Sequence, residues 1–257
     1  MSVAGTEPII SGAVAFASLF CGITYATVAP RSQIWCRLTY RGCGSRPRVA
    51  LTFDDGPVAG ATDRVLDILA AEKVKATFFV IGEHVERSPQ LLRRIDDEGH
   101  LVGNHSYEHL HWGFARGRGY WREELRRTDE LIERIIGKRP TLFRPPMGIK
   151  TWRIASAARH HGHRIITWTR RARDGVGATS QQIVSRLTDD ASPGDILVLH
   201  DGVDPRRPRD RAATVAALHE VIDRLRQREL QPVRLDELLD VRGYQGAMQT
   251  GLAHAAG

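Results

Sequence analysis

The chain has 257 residues, 42% hydrophobic and 26% charged, enough for one well-packed domain of the α/β-barrel size class and at most two small ones. Its formal charge of +7 comes from 33 arginines and four lysines (Lys73, Lys75, Lys138, Lys150), read as solvated surface or as attraction to an anionic polymer or membrane surface. No recognition motif with interleaved aromatics accompanies this basicity, which argues against nucleic acid, and Cys21, Cys36 and Cys43 supply neither a disulfide framework nor a CxxC metal site, although Cys36 and Cys43 can pair.

From Ile9 to Ala29 there are 21 residues without a charge, long enough for a membrane span. Glu7 is the only charged side chain before them, so a membrane anchor is favoured over a cleaved signal peptide, with a buried soluble helix as the third reading. Arg31, Arg37, Arg41, Arg46 and Arg48 follow, and the positive-inside rule then keeps the main domain cytoplasmic, with an extracytoplasmic placement as the alternative. Residues 1–45 are accordingly assigned to an anchor and linker, 46–240 to a catalytic domain and 241–257 to a disordered tail.

Beyond Arg48 the pattern alternates. Val49–Phe53 reads as a strand, Asp63–Glu72 as a helix and Ala76–Ile81 as a strand stopped by Gly82. Ser88-Pro89 opens a helix that runs to Glu98, and Leu101-Val102 follows as a strand. A helix over Glu123–Ile136, a strand at Leu142-Phe143, a helix over Trp152–Arg159 and a strand over Arg164–Trp168 continue the series. Gln181–Leu187 and Thr214–Gln227 read as helices on either side of the strand Asp195–Leu199, and Pro232-Val233 begins a last strand. Repeated strand and helix units with continuous apolar strands imply a parallel sheet covered by helices, with polar motifs placed just after the strands.

Those motifs carry chemistry. Asp54 and Asp55 close the first strand, where unpaired carboxylates are costly unless they have a function. His105 and His109, at i and i+4, would share one face of a helical turn. A carboxylate with two histidines is a metal-ligand set that keeps an open position. Arg144 is a fixed cation in the rigid stretch Arg144-Pro-Pro-Met-Gly148, whose two prolines leave the Met147 amide available to a ligand. Asp174 lies in a charged stretch after a strand, and His200 sits at the mouth of Leu197-Val-Leu-His200. In contrast, His160-His161-Gly162-His163 reads as a helix C-cap rather than a metal site, and Asp204–Arg211 as a solvated arginine-rich loop near the pocket rim.

Thr52-Phe-Asp-Asp-Gly-Pro57, His105-Ser-Tyr-Glu-His109, Arg144–Gly148, Trp168–Asp174 and Leu199-His200-Asp201 stand in the order of five motifs. Over Arg46 to Leu239 the chain thereby resembles the polysaccharide deacetylase family, carbohydrate esterase family 4, with its NodB homology domain. The resemblance implies an irregular (β/α) barrel of about seven parallel strands with outer helices, here preceded by one hydrophobic N-terminal helix. It also implies a hydrolase that removes acetyl groups from N-acetylated glycans of the chitin-oligosaccharide or peptidoglycan type. One divalent ion is implied, zinc first, with Co2+, Mn2+ or Ni2+ as alternatives, in a protein expected to act as a monomer. On the matching positions Asp55, His105 and His109 would hold the metal and Asp54 would be the general base. Arg144 would orient Asp54, Asp174 would pair with His200, and His200 would be the general acid. Pro146 and Met147 would lie on the substrate and oxyanion side.

Three departures from the family pattern bear on substrate preference more than on activity. Ser106 replaces the usual threonine, a mild change; Met147 replaces a common aromatic, with loss of sugar stacking; and Gly175 replaces a frequent tryptophan, which opens the pocket wall. Within the same fold the alternatives are a deacylase of a small amide or O-acetyl ester and an inactive glycan-binding membrane protein. A histidine-aspartate phosphohydrolase is disfavoured, because its ligands lie mainly on helices, whereas His200-Asp201 ends an apolar strand run.

Overall fold

The computed structural model describes residues 7–203 and 210–246, with side chains from residue 17 onward. At its centre lies β1 (Arg48–Asp54), in which every residue from Val49 to Asp54 is buried. Alternation divides that strand. Val49, Leu51 and Phe53 pack among helix residues such as Val65, Leu66 and Leu218, whereas Ala50 meets Phe79, Trp168 and Val198 on the other face. A strand buried on both sides reads as a continuous apolar run, which is why this sheet was visible in the sequence.

Around β1 the parallel path runs β5 (Arg164–Ile165), β4 (Leu142–Phe143), β3 (Leu101–Asn104), β2 (Thr77–Val80), β1, β7 (Ile196–His200) and β6 (Arg170–Arg171). The last strand, β8 (Gln231–Val233), pairs with Arg48–Ala50, beside the stretch where β2 pairs with Thr52–Asp54. The seven parallel strands of this path, with β8 joined to β1 beside them, thus curl into an open barrel with helices outside. These are α2 (Thr62–Ala71), α3 (Gly82–Arg87), α4 (Pro89–Asp97), α5 (Arg118–Ile136), α6 (Trp152–His160), α7 (Ser180–Thr188), α8 (Ala212–Gln227) and α9 (Leu235–Leu239), all preceded by α1 (Glu7–Val28). Thr179 caps α7 through a capping box with Gln182, and Thr151 caps α6 by accepting from the Ile154 amide.

The structure corrects several expectations. α3, α9 and β6 were not anticipated, α5 begins five residues before the expected Glu123, and the strand expected over Arg164–Trp168 is a ladder strand only at Arg164–Ile165, with Ile166 bridged to Thr39. Residues 26–45, assigned to an anchor and linker, pack on the barrel. Ala26 is 2% exposed, the Thr39 amide donates to Ile165 O at 2.9 Å, and the Gly42 amide donates to Gly194 O at 2.8 Å. Within the stretch 241–257 expected as a tail, Tyr244 accepts from the Val102 amide at 3.0 Å and the Gln245 amide donates to Arg139 O, while residues 247–257 lie outside the described residues.

Among the described residues no helix is long and apolar enough to cross a membrane. The spanning anchor expected over residues 9–29 falls partly on 9–16, whose side chains lie outside the described ones. Cys21, Cys36 and Cys43 are free thiols.

Candidate active site

The C-terminal ends of the parallel strands deliver the site. Asp55 follows β1 with φ of 71°, a left-handed conformation in which a non-glycine residue stores strain. Two contacts hold it there. His84 on α3 donates from Nδ1 to the Asp55 carbonyl at 2.7 Å, and Gly202 packs so closely that a Cβ at that position would overlap the same carbonyl. The Asp55 carboxylate then reaches His105 Nε2 at 3.3 Å and His109 Nε2 at 3.4 Å through its Oδ1. All three residues are buried, their ligand atoms lie within 4.8 Å of one another, and Asp55 Oδ1 makes no aligned hydrogen bond. Burial acts to raise the Asp55 pKa, but His109, His105 and His200 together bring it well below the usual carboxylate range.

His105 and His109 converge through a loop instead of the expected helical turn. Ser106 and His109 both have positive φ, at 69° and 51°. Asn104 Oδ1 accepts from the Ser106 amide, and Glu124 on α5 accepts from the Tyr107 and Glu108 amides at 3.0 and 2.9 Å. His105 Nδ1 lies 2.7 Å from Arg144 O, which as a carbonyl can only accept, so Nε2 is left as the lone-pair nitrogen facing Asp55.

Arg144 is fully buried. One Nη donates to Asp54 Oδ1 at 2.7 Å and to Thr52 Oγ1 at 2.8 Å, while the guanidinium lies 4.2 Å from the Phe79 ring centre. In register with Asp54 on the adjacent strand stands His200, whose Nδ1 is 2.7 Å from Asp174 Oδ1. Burial of the imidazole opposes its charge, yet Asp174, with Asp55 and Asp54, raises its pKa to about 9. Asp174 is buried; Thr214 Oγ1 donates to its Oδ2 at 2.8 Å and Arg211 to its carbonyl at 3.2 Å. Against the cost of burial, His200, Thr214 and Arg211 bring its pKa below the usual range.

A cleft of about 440 Å3 joins these groups, with Trp168 and Val198 as apolar walls and Met147, 42% exposed, at its rim. Met147 takes φ of 56° after the buried Pro146.

The family profile described as polysaccharide deacetylase matches residues 41–166. A peptidoglycan-N-acetylglucosamine deacetylase of Bacillus cereus is 35% identical over 193 residues, spanning 74% of this chain and 87% of that one. The chain belongs to the polysaccharide deacetylase family. A chitooligosaccharide deacetylase of Bradyrhizobium sp. (strain ANU 289) is 34% identical over 205 residues, covering 77% of this chain and 94% of that protein. The crystal structure of the Bc1960 peptidoglycan N-acetylglucosamine deacetylase superposes with a TM-score of 0.76 at 29% identity, over 81% of this chain and 95% of that one. The protein is thus a deacetylase, a hydrolase acting on N-acetyl amide bonds.

In this deacetylase every sequence-predicted site residue meets at one mouth: Asp54 with Arg144, Asp55 with His105 and His109, Asp174 with His200, and Met147 after Pro146 at the rim. Four supporting groups were not foreseen. Thr52 and His84 sit in or near recognised stretches but carry no distinctive spacing. Thr214 follows the arginine-rich stretch read as a solvated loop and Arg211 ends it, but Arg211 is not solvated: it is 6% exposed and donates from Nε to Gly202 O, with its Nη 4.0 Å from Asp55 Oδ2. Residues 204–209 of that stretch lie outside the described residues. Gly162 does end α6, with φ of 74°, and the buried His163 pairs with Asp129 at 2.9 Å.

Proposed function

We propose that the protein is a metal-dependent N-deacetylase of acetamido glycans, in which Asp55, His105 and His109 hold one divalent ion. The convergence of one buried carboxylate oxygen without an aligned hydrogen bond on two imidazole Nε2 atoms carries this reading. Two nitrogens and one oxygen with a fourth position open suit zinc. When bound, the ion supplies Lewis acidity, lowering the pKa of water towards about 7 and polarising the acetyl carbonyl.

The chain's own residues do the rest. Asp54, aimed by Arg144 and Thr52, takes the proton from the attacking water. The Met147 amide faces the oxygen on which negative charge develops. His200, carried as imidazolium by Asp174, protonates the leaving amine as the C–N bond breaks, so that acetate and a free amino sugar depart. Asp54 and His200 are register partners at the ends of the adjacent strands β1 and β7 and both line the cleft, so that base and acid reach one bond.

The domain division is proposed with a change: the catalytic unit takes in residues 26–45, since these hydrogen-bond to the barrel. Leu19, Phe20 and Ile23 of α1 are 62%, 63% and 48% exposed, which supports an attachment role for the helix at a membrane surface. Partitioning of the full chain with membranes after a high-salt wash tests that role. Acetate release from N-acetylated oligosaccharides by metal-loaded enzyme tests the activity: release is expected from at least one of a chitin-type and a peptidoglycan-type fragment, and release from neither would refute it.

A further inference from the structure

Helix α1 ends at Val28, leaving terminal carbonyls that need donors. Lys150 provides them. Its side chain is fully buried, and its Nζ donates to Ala29 O at 2.7 Å and Thr27 O at 3.5 Å, while its own amide donates to Thr27 O at 3.1 Å. Thr167 Oγ1 donates to Pro30 O at 2.7 Å, and Trp35 Nε1 to Thr27 Oγ1 at 3.2 Å. A lysine is buried this completely only where its charge is met, and a cation at a helix C-terminus also complements the dipole. The segment is therefore docked on the barrel by design of the fold.

Docking encloses a second hollow, of about 670 Å3, between this segment and the barrel rim. It shares Met147, Trp168 and Arg171 with the catalytic cleft, so the two adjoin at the rim. Its chemistry differs from the cleft's. Tyr25, 59% exposed, presents an aromatic face, and Arg31 and Arg171 present two guanidinium groups, while no aspartate or glutamate lines it among the described residues. Arg31 also lies 5.8 Å from the Tyr40 ring centre.

We infer, on the deacetylase reading above, that this hollow is a sugar subsite walled by residues 25–31 and selective for a carboxylated residue of an N-acetylated glycan. Aromatic faces accept the apolar side of a pyranose ring, and a guanidinium fork pairs with a carboxylate in bidentate geometry. A neutral sugar would offer neither guanidinium a carboxylate. A carboxylate one or two sugars from the acetamido group being cleaved would pair with them.

Three tetrasaccharides of equal length test the inference with metal-loaded full-length enzyme: alternating N-acetylglucosamine and N-acetylmuramic acid, the same compound with its carboxylates amidated, and the neutral N-acetylglucosamine tetramer. The acid is expected to exceed its own amide in kcat/KM by about tenfold, chiefly through KM, as for one charge-assisted contact. The double variant Arg31→Gln, Arg171→Gln is expected to bring that ratio to within about twofold of one. A ratio near one in the wild type, or an undiminished ratio in the double variant, overturns the subsite while leaving the deacetylase reading standing. No acetate from any of the three overturns both.

Discussion

Asp174 grips His200 at two points: Oδ1 faces the imidazole Nδ1 at 2.7 Å, and Oδ2 accepts from the His200 backbone amide at 2.9 Å. The double contact fixes the ring's tautomer and turns Nε2 towards the cleft. It also favours the charged ring, which a proton donor needs.

With the His200 pKa raised to about 9, the acid form is present below that pH and is lost above it. Activity is therefore expected to hold through neutral pH and fall on an alkaline limb near pH 9. Asp174→Asn should move that limb down towards the ordinary imidazole value of about 6.5. His200→Ala should lower kcat by roughly 10² to 10⁴-fold. A pH–rate profile of the three proteins checks this, and an alkaline limb that stays in place in Asp174→Asn would separate the two residues.

Asp54→Asn should keep the metal and lose about 10² to 10⁴-fold in rate, because the amide keeps its place beside Arg144 but cannot take a proton. Metal content by elemental analysis, measured beside turnover, distinguishes this from a ligand role. Loss of the ion in Asp54→Asn would reverse the assignments of Asp54 and Asp55.

Much of this site could be read from the chain because its chemistry sits where apolar runs stop. Asp54 and Asp55 end a strand that has no structural use for two carboxylates, and His200 ends another. The geometry between motifs could not be read so. Spacing of i and i+4 is the same for a helical turn as for a loop folded by left-handed residues at Ser106 and His109, and only the acceptors Asn104 on β3 and Glu124 on α5 decide between them. Strand β6 is two arginines, Arg170 and Arg171, whose pairing with Leu197 and Val198 overrides their polar character. The docking of α1 rests on a lysine 121 residues away from the carbonyl it serves. Charge-free length and the missing basic n-region therefore favoured an anchor over a packed helix.

Glu124 is buried where it supports the histidine loop, and burial chiefly raises its pKa from 4.5 to about 7. A carboxyl group with a raised folded-state pKa binds a proton more readily when folded. Its contribution is full below pH 4.5 and is lost as pH rises through about 7. Glu124→Gln keeps an acceptor for the Tyr107 and Glu108 amides and removes the titration. The stability difference between wild type and Glu124→Gln is expected to shift in favour of the variant from pH 5 to pH 8, as measured by urea unfolding.

Lys150→Met should release the segment after α1 while leaving the barrel folded. Unmet carbonyls cost about 1–3 kcal/mol each, offset in part by removing a buried cation. Limited proteolysis is expected to cut the variant between Val28 and Trp35 well before the wild type. Equal protection in both would show the docking to depend on other contacts.

Acetate release is proposed to require one ion held by Asp55, His105 and His109. That requirement is tested most directly by stripping the enzyme with a chelator and titrating zinc back while acetate release and bound metal are measured together. Activity is predicted to be negligible without metal, to rise linearly to one equivalent and then to level off, and His105→Ala should neither bind that equivalent nor recover. Full acetate release from demonstrably metal-free enzyme would contradict the account.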